Sequence, residues 1–569
     1  MRFVTSVLYG VSSSVLAALS LGYFRHGLTD LIAAIALGFG LAVTAMTLWQ
    51  DPPRLNFQPS SVGPSEWGAI VLFALFSLRA FLWLIFRDRD LIRVLSPNNL
   101  GDMSLHITYI RQLANGVPIW PENPIYAGAT LTYPLGTDLF NSLLALLGVD
   151  LFRGLIWVGL GGSLLTGIAL WNWGRGFVIA GFLCNGGLLG FSCFSQGTLS
   201  DFQSDAAWKS IPLALFVTQR GLLYALPAGL ALLCSWRTRF FSIPQKEGQW
   251  QMPLWGEILL YASLPLFHLH TFLFLSFLLG CWFFCMPQKR KPLALLIGGA
   301  LLPATVLVLV VTGMFKGASV LGWQPGWMQG EDGFFEFWIK NFGLLPLFVG
   351  ALCSVLVNRQ NSRWPMAISL PALLIFFLCC FVKFAPWAWD NTKLMIWSYL
   401  ALLPFLWSEV IARFPQPVRW ISCTILFFSG FVSLLGGLGS QPRGYELALR
   451  SELDAVEYAV RDLPVNARFA AAPTYNHPVL LAGRLLAMGY EGHVWSHGYD
   501  FATRRDEVKA LMNGAPHWRQ IAARLNVRYI FWGALEEEAF PLSTQPWKLV
   551  APAVRQGDWG EIVDLAGSL

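Results

Sequence analysis

The sequence predicts a polytopic α-helical membrane protein of about 13 spans with a small extracytoplasmic α/β domain at its C-terminus. Of its 569 residues, 55% are hydrophobic and only 13% are charged, and the mean hydropathy is +0.53. Soluble domains carry about 25% charged residues, so this composition indicates a membrane protein. A third observation is local, because the stretch 439–569 is polar where the preceding chain is apolar.

Apolar stretches follow one another along residues 1–438. A hydrocarbon core about 30 Å thick needs about 20 apolar residues per helix. The first stretch is expected to be a retained helix and not a signal peptide, because a second stretch begins at Leu28. The stretch 254–286, centred on FHLHTF, predicts two short helices with a break, and 137–149 predicts an interfacial or half-inserted helix. The other predicted spans are 4–23, 28–49, 67–87, 152–172, 176–193, 211–235, 293–313, 341–357, 366–383, 393–412 and 418–438.

Basic residues in short loops predict how the spans are oriented. Three loops share one side, assigned to the cytoplasm, and carry Arg237, Arg239, Lys246, Lys289, Arg290, Lys291, Arg359 and Arg363. The unusual polar segments then all fall on the other side: the loop 101–136, the stretch around Asp201, the loop 314–340, the segment 384–393 and the tail 439–569. This distribution predicts a reaction or binding site at the outer surface.

The cysteines and the charge restrict the classes of function and the compartment. All nine cysteines precede residue 439, so the outer tail has neither a disulfide framework nor a CxxC metal site. With no glycosylation-rich lumenal loop either, a bacterial inner membrane with a periplasmic active face and C-terminus is favoured over the endoplasmic reticulum. The net charge of +6 is mild, and no basic cluster with interleaved aromatics supports nucleic-acid binding.

The tail 439–569 reads as a mixed α/β domain. ELDAVEYAVRDL has helical periodicity, and DFATRRDEVKALMNG reads as a helix that ends at Gly. ARFAAAP and VRYIFWG read as short buried strands.

The outer loop is expected over residues 88–136, and its stretch 101–136 opens with GDMSLH, which places Asp102 four residues before His106. If the segment is helical, both side chains project from one face near the membrane surface. The run PIWPENPIYAGATLTYP follows and must be irregular or extended. Irregular backbone beside a bilayer is tolerated mainly where it lines a cavity. The alternative is that Asp102 only caps the helix MSLHITYIRQL.

An acidic residue at the head of the first large outer loop, a short helix, then GVP and YP before the next apolar run resembles the GT-C superfamily. These integral-membrane glycosyltransferases use a polyprenyl-phosphate-linked sugar. The resemblance implies that Asp102 lies at the reacting centre and that LSDFQSDAAWK supplies Asp201 and Asp205 as candidates for a second acidic site. Two extra spans precede the acidic loop, and the second segment has D-x-x-x-D spacing in place of DxD.

Glycosyl transfer explains the residue types. A carboxylate acts as general base on the acceptor while the anomeric carbon gains oxocarbenium character, which is the role expected of Asp102 with His106. The leaving phosphate needs a fixed cation or metal. Lys393 is the first candidate for this cation, with Arg111 and Arg220 as competitors, and a Mg or Mn ion would be held at Asp201 and Asp205. The alternative is that Lys393 and Asp390, three residues apart, form only a structural ion pair.

Other residues are candidates for ligand contacts. His268 and His270 lie inside an apolar segment, where ionisable groups are either functional or bonded to a neighbouring helix. Acceptor or carbohydrate contacts, or else surface anchoring and polar packing, are expected of Trp323, Trp327, Tyr490, His493, Trp495 and His497.

The sequence therefore predicts a membrane glycosyltransferase whose partners are a polyprenyl-phosphate-linked sugar donor, the bilayer and a glycan, lipid or protein acceptor. One rival class is a transporter or flippase of a lipid-linked substrate, which would show an internal repeat with paired broken helices. A second rival is a non-catalytic subunit of cell-envelope polysaccharide assembly. The chain shows no such repeat and keeps its leading carboxylate.

Overall fold

The structure is a computed structural model that describes residues 1–52, 62–241, 250–315, 321–358, 363–439 and 443–567. Lys246 and Arg359, two of the basic loop residues, lie outside these ranges. The helices before the tail are α1 Arg2–Arg25, α2 Asp30–Gln50, α3 Pro64–Leu82, α4 Asn99–Ala114, α5 Gly136–Leu146, α6 Leu151–Leu183, α7 Cys193–Gln196, α8 Leu222–Trp236, α9 Leu254–Phe267, α10 Leu269–Cys285, α11 Arg290–Val311, α12 Phe334–Phe342, α13 Leu345–Val357, α14 Arg363–Cys379, α15 Thr392–Phe405 and α16 Gln416–Gly439.

The tail carries most of the strands. Its helices are α17 Arg450–Val460, α18 Pro478–Leu481, α19 Glu491–Ser496, α20 Ala502–Met512, α21 Trp518–Leu525 and α22 Ala534–Ala539. The ten strands are β1 Ile85–Asp88, β2 Leu91–Val94, β3 Gly322–Trp323, β4 Val382–Lys383, β5 Tyr445–Leu449, β6 Arg468–Ala470, β7 Leu485–Leu486, β8 Val527–Trp532, β9 Ala553–Gly557 and β10 Gly560–Asp564.

The number of membrane-spanning helices is smaller than the predicted 13. Within the described ranges, seven helices are long and apolar enough to cross a membrane: Arg2–Arg25, Asp30–Gln50, Pro64–Leu82, Leu151–Leu183, Pro287–Val311, Ala388–Arg413 and Gln416–Gly439. An eighth is added if α12 and α13, which are bent by 89°, form one span. Three further apolar helices are shorter, namely α9, α10 and α14 with 14, 17 and 17 residues.

Two of the differences from the predicted spans have a local cause. The predicted span 152–172 and the first part of 176–193 form one helix of 33 residues, α6, with non-helical dihedrals at Gly174 and Arg175, and residues 184–193 lie beyond its end. The predicted span 67–87 stops at Leu82 because the chain enters the β1–β2 hairpin. The prediction of two short helices in 254–286 is confirmed, since α9 and α10 meet at an extended His268 with φ −157° and ψ 100°.

Two glycines allow other elements to approach this helix break. A Cβ at Gly221, just before α8, would lie 2.0 Å from the carbonyl oxygen of Phe267. A Cβ at Gly136, the first residue of α5, would lie 2.9 Å from the carbonyl oxygen of Leu266. Real Cβ atoms do not come this close to backbone, so both positions require glycine. The beginnings of α5, α8 and α10 therefore meet at one point.

The predicted elements of the tail are confirmed: both helices are α17 and α20, and both strands are β6 and β8. A five-stranded sheet has the order β7-β6-β8-β10-β9, with β6 parallel to β7 and to β8 and the other pairs antiparallel. The tail also completes a second sheet, because β5 pairs antiparallel with β2 of the hairpin before α4.

The loop 117–131 packs against the tail sheet. Backbone hydrogen bonds run from Ala127 N–H to the Leu486 carbonyl and from Leu486 N–H to the Pro124 carbonyl, at 3.1 and 2.8 Å. Arg468 of β6 adds an ion pair of 2.6 Å with Glu122. The irregular run that follows α4 is thus held by the tail.

A fully buried carboxylate fixes the centre of the tail domain. Glu536 accepts hydrogen bonds from His477 Nε2 at 2.9 Å, from Ala472 N–H at 2.7 Å and from Gly533 N–H at 2.9 Å. The carboxylate therefore connects the end of β6, the start of α18 and the start of α22.

We expect Glu536→Ala to lower the free energy of unfolding of the tail domain by about 3 kcal/mol, because it leaves two buried N–H groups and an imidazole unpaired. Hydrogen exchange at the β6 and β8 amides measures this change. Glu537→Ala, on the exposed side of the same helix, is the control and should change exchange little. Equal exchange in both variants would contradict the role given to Glu536.

Candidate functional site

Asp102 lies in the first turn of α4, on the face that turns toward the membrane helices. It interacts electrostatically with His106 and Tyr109, one and two turns further along. The prediction that Asp102 and His106 share one helix face is therefore confirmed. Arg111 lies on the opposite face, where it pairs with Glu457 of the tail at 2.7 Å. The structure thus separates Arg111 from Asp102.

Lys393 lies within electrostatic range of Asp102. It belongs to the first turn of α15 and forms an ion pair of 3.1 Å with Asp390, each side chain being 15% exposed. The expected ion pair is therefore present. The same ammonium interacts electrostatically with Asp102, with His497 of the tail and with His268 and His270 at the α9–α10 break. Lys393 is the charge that these elements have in common.

The surroundings of Asp102 make it a stronger base than a solvated carboxylate. Burial raises its pKa above the usual value of 3.8, although part of the side chain remains accessible. His106, Lys393 and a hydrogen bond from Thr218 act in the opposite direction. Asp102 thus has a raised pKa and is not fully buried, as a residue that accepts a proton from a substrate requires.

His106 is oriented by a residue that sequence reasoning missed. Its Nδ1 lies 2.9 and 3.0 Å from the two carboxylate oxygens of Asp138, which is buried in the first turn of α5. Arg220, also fully buried, interacts with Asp138 and donates from Nη2 to the Leu155 carbonyl at 2.9 Å. The signal was available, because Asp138 is an ionisable residue inside an apolar stretch.

Two histidines of the tail cover the Asp102 side of the cluster. The imidazole of His493 packs against Gly101, where a Cβ would lie 2.8 Å from its Nε2. The ring of His497 stacks on Tyr133 with centroids 5.6 Å apart. Burial lowers the pKa of His493 to about 4 and that of His497 to about 3, so both are neutral at pH 7. Tyr490 and Trp495 lie on α19 and its N-cap and are 42% and 45% exposed.

The loop 314–340 carries two candidate ligand contacts, Trp323 and Trp327, of which one is exposed and one is buried. Trp323 is 75% exposed and stacks on Phe381 at 5.9 Å. Trp327 is 4% exposed, and its Nε1 donates to the Ala388 carbonyl at 3.1 Å. The indole of Trp327 is therefore occupied in joining the loop to the segment before α15, and only Trp323 is free to contact a ligand.

Asp201 and Asp205 do not share a helix face, because residues 202–205 form turns. Asp205 is exposed, whereas burial raises the pKa of Asp201 to about 6. Across the described ranges, no group of three or more His, Cys, Asp or Glu side chains is placed to hold a metal ion. Asp201 and Asp205 therefore do not form a ligand set for the expected Mg or Mn ion. Among the described residues, Lys393 supplies positive charge to Asp102.

Four buried polar atoms around Asp102 and Lys393 have no hydrogen-bond partner within the part of the chain that the structure describes: Tyr109 Oη, His268 Nε2, Thr392 Oγ1 and His497 Nδ1. Native proteins leave few such atoms unpaired, and each requires an explanation. These four atoms, among the 26 of this kind in the described ranges, are available to hydrogen-bond a polar ligand beside Asp102 and Lys393.

Comparisons with known proteins find similarity only in structure. No family model and no curated protein matches the chain. The apo oligosaccharyltransferase of Archaeoglobus fulgidus has a TM-score of 0.47 and 12% identity, over 82% of this chain and 69% of that chain. The archaeal oligosaccharyltransferase AglB in complex with an inhibitory peptide and a dolichol-phosphate gives 0.47 and 13%, over 83% and 70%. The form tethered to an acceptor peptide gives 0.44 and 12%, over 87% and 74%.

These structural neighbours are membrane glycosyltransferases of the GT-C superfamily, the class that the sequence resembles. A likeness this distant assigns no activity to the chain, whose own residues carry the inference.

We expect the stability of the folded protein to fall as the pH is lowered from about 6.5 toward 4. The unfolded chain protonates its imidazoles near the ordinary pKa of 6.5, whereas folded His493 and His497 do so only near pH 4 and pH 3. The contribution of these two histidines to stability is therefore complete above pH 6.5. It is lost progressively as the pH falls from 6.5 toward the pKa values of the folded state, about 4 and about 3. Thermal midpoints at pH 7.5 and pH 5 should differ less in His497→Gln than in the parent.

The exposed His517 supplies the control for this measurement. His517→Gln should keep the pH dependence of the parent. Midpoints of His497→Gln that run parallel to those of the parent would show that His497 is not held neutral by the fold.

Proposed function

We propose that this protein is an integral-membrane glycosyltransferase of the GT-C type that moves a sugar from a polyprenyl-phosphate-linked donor to a glycan, lipid or protein acceptor. One observation carries the proposal. A partly accessible carboxylate, Asp102, and an ammonium group, Lys393, lie together among unpaired polar atoms where the helices meet the tail domain. Glycosyl transfer needs a base and a cation at the same place.

Asp102 is the general base of this proposal. It accepts the proton of the acceptor hydroxyl or amine as the new glycosidic bond forms and the bond to phosphate breaks. Its raised pKa improves proton transfer near neutral pH. His106, held at Nδ1 by Asp138, keeps a polar group with a fixed orientation next to the base. Asp138 is thus a positioning residue, because it acts through His106.

Lys393 stabilises the leaving group. The phosphate of the lipid carrier gains negative charge as it departs, and a fixed ammonium in a site of low dielectric stabilises that charge more than water does. Arg220 is fully buried and interacts with Asp138, so we assign it a supporting role behind Asp138 and not direct contact with the donor.

The tail domain supplies the acceptor side. His493 and His497 close over Gly101 and Tyr133, and the exposed rings of Tyr490 and Trp495 continue this surface outward. Aromatic faces of this kind pack against sugar rings. The neutral imidazoles add hydrogen bonds without adding charge to the base.

We place the active face and the C-terminus outside the cytoplasm, in a bacterial inner membrane. The basic residues Lys289, Arg290 and Lys291 support this orientation, because they form the N-cap and first two residues of helix α11, at the end that the sequence assigns to the cytoplasm. The segments around Asp102, Lys393 and the tail share the other side.

We expect Asp102→Asn to lower the rate of sugar transfer by about 10²–10⁴-fold, the usual contribution of a general base, while the protein stays folded. The measurement is transfer of radiolabelled sugar from a panel of polyprenyl-phosphate donors by purified protein. Asp88→Asn, an exposed carboxylate of the β1–β2 hairpin, is the matched control and should transfer at the parent rate.

The other outcomes distinguish the rivals. Transfer that persists in Asp102→Asn and disappears in Asp201→Asn would move the base to the second acidic segment. A parent protein that binds donors and transfers none would favour the transporter, the flippase or a non-catalytic assembly subunit.

A further inference from the structure

His268 occupies the break between two apolar helices and caps the second one. Its Nδ1 lies 2.7 Å from the hydroxyl oxygen of Thr271 and accepts from Thr271 N–H at 3.2 Å. This is the position of an N-cap side chain, which accepts from the first free N–H groups of a helix. The imidazole is thereby fixed in orientation at the beginning of α10.

A short chain of hydrogen bonds also fixes which nitrogen of His268 carries the proton. Trp397 Nε1, which can only donate, donates to the Thr271 hydroxyl oxygen at 2.8 Å. The Thr271 hydroxyl is then free to donate to Nδ1 of His268, which also accepts from the Thr271 N–H. Because Nδ1 is the acceptor, the proton of the neutral ring lies on Nε2.

Nε2 of His268 therefore presents an N–H group, and among the described residues nothing accepts from it. The residue is only 5% exposed, so bulk solvent does not reach this donor. A buried N–H without an acceptor is unfavourable, and native proteins retain such groups where a ligand completes the bond.

The surroundings of this N–H favour an anion. Helix N-termini carry partial positive charge, and three of them meet here: α10 begins at Leu269, α15 begins one residue before Lys393, and α8 begins after Gly221, which abuts Phe267. Lys393 interacts electrostatically with both His268 and His270. Its charge is already shared with Asp390, so neutral N–H groups extend the site without adding net charge.

We propose that Nε2–H of His268, together with the ammonium group of Lys393, binds the phosphate of a polyprenyl-linked donor. The inference rests on the proposed glycosyltransferase and names a donor-binding residue for it. The break lies between the apolar helices α9 and α10, so a free anion would pay the full cost of desolvation there. A lipid-linked phosphate offsets this cost, because its lipid chain favours the apolar surroundings.

The test compares equilibrium binding of undecaprenyl monophosphate and of undecaprenol to the full-length protein in detergent. We expect His268→Asn to raise the Kd for the phosphate about tenfold or more, because a hydrogen bond to a charged group is lost, and to leave the Kd for the alcohol unchanged. Asparagine is a good N-cap residue, so α10 keeps its cap. Lys393→Gln should weaken binding of the phosphate in the same selective way.

Ser276→Ala supplies the matched control, since Ser276 lies two turns further along α10 and bonds to Tyr261 at 2.7 Å. It should bind both lipids as the parent does. Equal weakening of both lipids by His268→Asn would mean lost packing and would overturn the inference, as would unchanged binding of the phosphate. Inorganic phosphate should compete only at much higher concentrations than the lipid. Competition at equal concentrations would overturn the lipid as the source of the phosphate.

The outcomes also separate this inference from the proposed function. Binding of undecaprenyl monophosphate that depends on His268, in a protein that transfers no sugar, would retain the phosphate site and remove the glycosyltransferase. Sugar transfer by the parent, with phosphate binding unchanged in His268→Asn, would retain the enzyme and remove His268 from the donor site.

Discussion

A charge inside an apolar helix bundle must be paired, and in this protein the charge that organises the site is Lys393. Its ammonium group is held at 3.1 Å by Asp390, three residues earlier at the start of the same helix. A second carboxylate, Asp102, lies within its field but belongs to a different element. The ion pair makes a cation tolerable at this depth, and the second carboxylate makes the pair chemically useful. The same arrangement brings α4 and α15 to one place.

Helix ends supply most of the charged groups of this site. Asp102, Asp138 and Lys393 each lie in a first turn, and His268 caps a helix. A first turn has backbone N–H groups that lack intrahelical partners, and its dipole favours negative charge. Several such ends pointing together give a region that attracts anions without an excess of cationic side chains. Short and interrupted helices are what allow so many ends to meet inside a bundle.

Local patterns predicted much of this arrangement. The break at His268 follows from an apolar stretch too long for one helix, and the shared face of Asp102 and His106 follows from four-residue spacing. The partner of His106 did not follow, because nothing local connects it to Asp138, 32 residues away. The burial of Trp327 did not follow either, since its indole bonds to a carbonyl 61 residues away. Spacing defines faces and breaks, but tertiary packing selects partners.

The composition changes from apolar to polar near residue 438, but the two parts of the chain are joined by many contacts. The change from apolar to polar residues marks where the chain leaves the bundle, but β5 pairs with β2 and the loop 117–131 bonds into the tail sheet. His493 meets Gly101 beside the leading carboxylate, where any larger residue would strike the ring. The tail thus contacts α4 directly at the turn that carries Asp102. Asp102, the base of the proposed reaction, is therefore covered by His493 of the tail. The proposed site is formed by both parts of the chain together.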